Sequence, residues 1–138
     1  MASEDLTMTF MERWFEEVWN KGREEAIDEM MSTDTKGHGL KGPDGKEIDG
    51  MTAFKSFHKT FRAAFSDIQV KVEETVTEGD RTVARCLVTG THTGDSLGRP
   101  STGKPVTFHG MTLARIKDGK IVESWNNFDF MTMYKQLE

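Results

Sequence analysis

After Phe65 the hydrophobic period of this chain changes from about 3.6 residues to two, and no other feature constrains the fold as strongly. Upstream, Met11, Trp14, Phe15, Val18 and Trp19 recur at helical spacing, with Glu12, Arg13, Glu16 and Glu17 on the opposite face; Gly22 ends the run. Residues 23–31 read as a second, short helix burying Ile27, Met30 and Met31. A loop with Gly37, Gly39, Gly42, Pro43 and Gly45 follows, and the helical pattern returns at Phe54, Phe57, His58, Phe61 and Phe65.

Downstream, Ile68, Val70 and Val72 alternate with polar residues, the mark of a half-buried strand. Gly79-Asp80 forms a turn into a second strand, 82–91, and "HTGDSLGRPSTGK" (92–104) is a long loop. Strand 105–116, an Asp118-Gly119 turn of type I′ and strand 120–127 make the last hairpin, and 129–137 closes with a short helix. Helices first and a strand meander afterwards mean an α+β fold, a curved antiparallel sheet with helices across one face.

Strand 105–116 places Phe108, Gly110, Thr112 and Ala114 on one face and His109, Met111, Leu113 and Arg115 on the other. Neither face is cleanly polar, so both expect cover. Helices can cover one, and a second subunit the other, with His109, Met111 and Leu113 in a homodimer interface. In the last strand, alternation sets Val122, Ser124 and Asn126 on one side.

The 138 residues fit one domain, 1–138, and 36% hydrophobic with 30% charged residues is a soluble, globular balance. No apolar stretch approaches the roughly 18 residues that span a bilayer. The acidic N-terminus lacks a signal-peptide core, and a single cysteine, Cys86, forms no internal disulfide, so the expected location is cytoplasmic. A net charge of −5 without a basic cluster argues against nucleic acid or membrane as partner.

Three segments carry a resemblance: "VWNKGREEAIDEMM" (18–31), "TGTHTGDSLGRPSTGK" (89–104) and "ARIKDGKIVESWNNFDF" (114–130), with "YKQLE" at the end. With the order of elements, they resemble the SnoaL-like polyketide cyclase family of the nuclear-transport-factor-2-like superfamily. The resemblance implies a cone-shaped roll with the N-terminal helices packed over the concave face of the sheet. It also implies a homodimer and a deep apolar pocket. Family cyclases close a polyketide ring by aldol condensation with no metal or organic cofactor. They use an acid/base aspartate at the end of the last strand beside a histidine on the preceding one. Those positions fall on Asn126 and Thr112, and an amide cannot take a proton at neutral pH.

Two functions therefore stand side by side. One is a cyclase- or isomerase-type protein acting on a small apolar carbonyl compound, with Asp129 or His38 transferring the proton while Asn126 and Thr112 polarise an oxygen. The other is a binding module without turnover. Trp19, Phe61 and Phe108 are candidate pocket wall. Against these roles, Asn126 and Thr112 can satisfy each other within the sheet, Asp129 can cap the last helix, and His38 can be a loop histidine. Epoxide hydrolysis or ketosteroid isomerisation, also found in the superfamily, needs a buried carboxylate, for which Glu74, Glu123 and Asp129 are candidates. His58 reads as a hydrogen-bonded core histidine, His92 as a loop stabiliser and Cys86 as structural. Four histidines without HxH or HExxH spacing make no metal site.

Overall fold

Thr9 and Glu12 start the first helix by exchanging bonds: Glu12 N–H donates to Thr9 Oγ1 at 3.1 Å, and Thr9 N–H to Glu12 Oε1 at 2.9 Å. In the computed structural model, which describes residues 8–42 and 45–138, this helix is α1, Phe10–Trp14. It continues as a π-helix, Phe15–Asn20, then α2, Glu24–Met30. Next come β1, Met31–His38, and α3, Met51–Ala64; then β2, Gln69–Glu78, β3, Arg81–Thr91, β4, Pro105–Lys117, β5, Lys120–Phe128, and α4, Phe130–Gln136. Pro43, placed in the loop by the sequence, lies outside the described residues, as do residues 1–7.

The π-helix explains what "WNKG" does. Its wider turn leaves Val18 and Trp19 carbonyls open, and α3 fills them. His58 Nε2 donates to Val18 O at 2.6 Å, and Arg62 Nη1 to Trp19 O at 2.6 Å. Asn20 then grips the backbone of Val70 from both sides, Nδ2 donating to its carbonyl at 3.0 Å and Oδ1 accepting its N–H at 2.6 Å. Asn20 thus occupies backbone groups of an edge strand that would otherwise lie open.

The five strands run in the order β1-β5-β4-β3-β2, curved and antiparallel except at one edge. There β1 lies parallel to β5, with Gly37 opposite Ser124 and His38 opposite Trp125. Residues 32–38, which the glycine-rich run from Gly37 to Gly45 marks as the start of a loop, form this strand instead. Gly37 is not a turn residue: a Cβ there would sit 2.5 Å from Ile48 O, so it permits close packing. Thr33 and Thr35 are β-branched and suit a strand. Gly39, at φ +90°, is where the strand ends; a Cβ would come within 1.9 Å of Asn126 O.

Asp118 and Gly119 both have positive φ, 54° and 76°, as a type I′ turn requires. One bulge between Arg115 and Ile116 shifts the hairpin so that Ile116 faces Ile121 and Arg115 faces Glu123. Val122 is the extra residue, and Ile121, not Val122, shares the inner face with Ser124 and Asn126. His92 ties the two ends of the 92–104 loop together: its Nδ1 accepts the Thr102 N–H at 3.1 Å, and its N–H donates to Lys104 O at 2.9 Å. Among the described residues no helix is long and apolar enough to cross a membrane.

The helices cover the inner face of the sheet around Trp19, whose indole meets Phe54, Phe57 and Phe61 edge-on at 6.0–6.1 Å between ring centroids. His58 packs against the same indole at 4.9 Å and is buried. Desolvation is the main force holding its imidazole below the ordinary value; the Val18 carbonyl pulls the other way. A depressed folded pKa gives stability that is complete above the unfolded pKa of about 6.5 and lost as pH falls through the folded one. Below pH ~6.5 the parent should therefore lose stability faster than His58→Gln, which keeps a donor for Val18 but cannot titrate. Denaturant melts across the pH range measure this, and parallel curves would contradict it.

Candidate ligand-binding cavity

Between the helices and the inner face of the sheet lies a cavity of about 70 Å³. Its wall is aromatic: Trp14, Phe15, Trp19, Phe54, Phe61 and Phe108 line it, with Phe57, Phe128 and Phe130. Four polar side chains enter this wall: Thr35 from β1, Ser124 and Asn126 from β5, and Thr112 from β4. The structure thus brings Trp19, Phe61, Phe108, Thr112 and Asn126 to one cavity. Thr35 and Ser124 were not candidates from sequence. Ser124 could have been found from its shared face with Asn126, whereas Thr35 was hidden inside a segment that looked like a glycine loop.

Thr112 and Asn126 are opposite each other in the β4–β5 register. Thr112 Oγ1 donates to Asn126 Oδ1 at 3.0 Å, while Asn126 Nδ2 donates to the His38 carbonyl at 3.0 Å and to Ser124 Oγ at 3.2 Å. A carbonyl can only accept, so the His38 contact fixes which end of the amide is nitrogen. Asn126 therefore does both things foreseen for it: it lines the cavity and satisfies a neighbour in the sheet.

Asp129 and His38 are not brought to the cavity. Asp129 caps α4, its Oδ1 accepting the Thr132 N–H at 3.1 Å and its Oδ2 the Thr132 hydroxyl at 2.6 Å. Those two bonds, the hydroxyl first, hold its carboxyl below the usual range, the wrong direction for a base at neutral pH. Only the main chain of His38 reaches the site. Its ring turns to the outer face, stacked on Trp125 at 5.3 Å with Nε2 2.9 Å from Glu123 Oε2. Glu123 also meets Arg115 at 3.4 Å, and Glu74 is an exposed partner of Arg85 at 3.4 Å. Neither carboxylate lines the cavity. Burial, then the charge of Glu73, pushes the Cys86 thiol up to about 12, so it stays protonated and unreactive. Among the described residues no three of His, Cys, Asp or Glu converge as a ligand set.

A two-layer α+β roll, five curved strands under helices with an apolar cavity between, is the nuclear-transport-factor-2-like fold. The family profile for "SnoaL-like polyketide cyclase" matches residues 9–137, and the chain belongs to that family. It is 28% identical over 123 residues to aklanonic acid methyl ester cyclase DnrD of Streptomyces peucetius, a span of 88% of this chain and 83% of that one. Wild-type IdmH from Streptomyces antibioticus superposes with a TM-score of 0.79 at 29% identity, covering 93% and 95% of the two chains. TsrD from Streptomyces laurentii shares the fold at a TM-score of 0.79 and 22% identity, over 99% and 95%.

The Asn126 contacts generate a test. Asn126→Asp keeps the shape but sets a second acceptor against the His38 carbonyl, so the protonated acid, which can donate, is favoured in the fold. Its folded pKa rises above the unfolded ~3.9, and stability present below that value is lost as pH rises through the folded pKa. The expected deficit against the parent is small in acid and grows to on the order of 3 kcal/mol at neutral pH. Chemical melts of both proteins across pH check this; a deficit independent of pH would refute the clamp.

Proposed function

We propose that this chain binds a small, uncharged, apolar carbonyl compound in the cavity and holds it without abstracting a proton from it. The observation that carries the reading is the composition of the wall: among the described residues, none that lines the cavity has an ionisable side chain. A charged ligand would meet no counter-charge there, at a desolvation cost of several kcal/mol, whereas a neutral ring finds aromatic surface and a few hydroxyls. The reading needs no metal or organic cofactor. At about 70 Å³ the space is under half the roughly 150 Å³ of an engineered cavity that takes benzene, so even a single-ring guest requires the walls to move.

A second reading, ring closure or isomerisation, is favoured by the 28% identity to a protein named as a cyclase. It requires a water molecule or the substrate itself to serve as base. The two separate in a single experiment with cyclopentanone in D₂O. The expected outcome is methyl shifts at cavity residues in NMR, with deuterium entering the α-carbon no faster than in buffer. Accelerated exchange abolished by an Asn126 or Thr112 substitution would establish catalysis instead, and no methyl shifts would end the binding reading.

The proposal extends to a homodimer through the outer face of the sheet. Met111 there is 48% exposed, and Val83, Leu87, Leu113 and Trp125 are half-buried beside it. Light scattering is expected to give twice the chain mass, falling to one chain in Met111→Glu; a monomer in the parent would refute it.

A further inference from the structure

Buried polar atoms almost always have partners, so a hydroxyl without one inside a cavity asks for an explanation. Thr35 is 5% exposed, lines the cavity, and its Oγ1 has no hydrogen-bond partner among the described residues. Its carbonyl, by contrast, accepts the Gly50 N–H at 3.1 Å, so the backbone acceptor is satisfied and the side chain is left over. Across the β1–β5 pairing, Gly37 faces Ser124, which makes Thr35, two residues earlier on the same strand face, the diagonal neighbour of Ser124.

The protons of the polar cluster can be assigned one by one. Thr112 gives its hydroxyl proton to Asn126 Oδ1. Both amide protons of Asn126 go to the His38 carbonyl and to Ser124 Oγ. Ser124 is thereby an acceptor, and its own proton is not committed to any of these groups. Thr35 has its proton and both lone pairs free. The cluster therefore keeps two hydroxyl donors, Thr35 and Ser124, both lining the cavity from adjacent strands, and the described wall around them is aromatic and aliphatic apart from Thr112 and Asn126.

We propose that Thr35 is a ligand-binding residue of the cavity and that it donates, together with Ser124, to one carbonyl oxygen of an uncharged ring-sized guest. The proposal rests on the reading of the cavity as a ligand site and adds the residues that select the oxygen. A donor pair without a nearby cation suits a ketone or ester oxygen rather than a carboxylate. In the empty protein the unpartnered Thr35 hydroxyl is a burden on folding, and a bound carbonyl relieves it. A binding residue has that signature: removing it strengthens the empty fold and weakens recognition.

The experiment compares cyclopentanone with methylenecyclopentane, the same ring with oxygen replaced by a methylene, in the parent, Thr35→Val and Ser124→Ala. Affinities come from methyl NMR titrations and stability from thermal melts. The parent should prefer the ketone. Thr35→Val, nearly isosteric, should cut that preference roughly threefold to tenfold, the effect of one hydrogen bond, while the hydrocarbon affinity stays unchanged. It should also raise the Tm of the empty protein by about 3 °C. Ser124→Ala should cut the preference similarly and serves as a second variant should one of the two fold poorly. If both rings bind equally, or if Thr35→Val leaves the preference intact because the hydroxyl merely holds a water, the proposal is overturned while the cavity reading stands. If neither ring binds, the cavity reading falls with it.

Discussion

Asn126 has one carbonyl and one amino group, and it joins two other strands with them. The oxygen receives the Thr112 hydroxyl from β4, and the nitrogen reaches the His38 carbonyl at the end of β1. The β1–β5 pairing is parallel and its register breaks between Met31 and Lys36, so this edge has few regular ladder bonds to hold it. Bonds of this kind are each worth only about 1 kcal/mol net, but a buried partner left unpaired costs more than the bond gains. Much of the site follows from that clamp. Beside it Thr35 lines the cavity, the His38 ring lies on the outer face, and the Asn126 backbone carbonyl leaves room only for a residue without a side chain, Gly39.

The same contact gives a physical reason for an amide where the family resemblance puts an acid/base aspartate. A carboxylate at position 126 could accept from Thr112 but could not donate to His38 or Ser124. In this chain the position holds strands together, and among the described residues none with an ionisable side chain lines the cavity beside it. What remains in the wall is shape, aromatic surface and hydroxyls, enough to choose among neutral guests and orient one oxygen.

The helices, the hairpin and the long loop were legible in the sequence because each rests on a local signal: an apolar face at helical spacing, an Asp-Gly pair with both residues at positive φ, a cluster of glycines with Pro100. Trp19, Phe61, Phe108, Thr112 and Asn126, named from the sequence as candidate ligand contacts, all line one cavity. What was not legible depends on distant partners. β1 was lost because Gly37 and Gly39 look like turn residues, although they answer to Ile48 O and Asn126 O across space. The bulge at Val122 adds one residue to β5; without it the tight turn at 118–119 would set Thr112 opposite Trp125 instead of Asn126. The roles considered for Asp129 and His38 rested on proximity along the chain, whereas a helix cap claims one side chain and strand alternation turns the other outward.

The Asn126 clamp can be observed without any ligand. In NMR on the protein with ¹⁵N and ¹³C labels, the account predicts two resolved Nδ2 protons for Asn126 that exchange slowly with water. It also predicts a scalar coupling across the hydrogen bond from that nitrogen to the His38 carbonyl carbon. Averaged, rapidly exchanging amide protons with no such coupling would contradict it, and the positions assigned to β1, Thr35 and Gly39 around the cavity would lose their support.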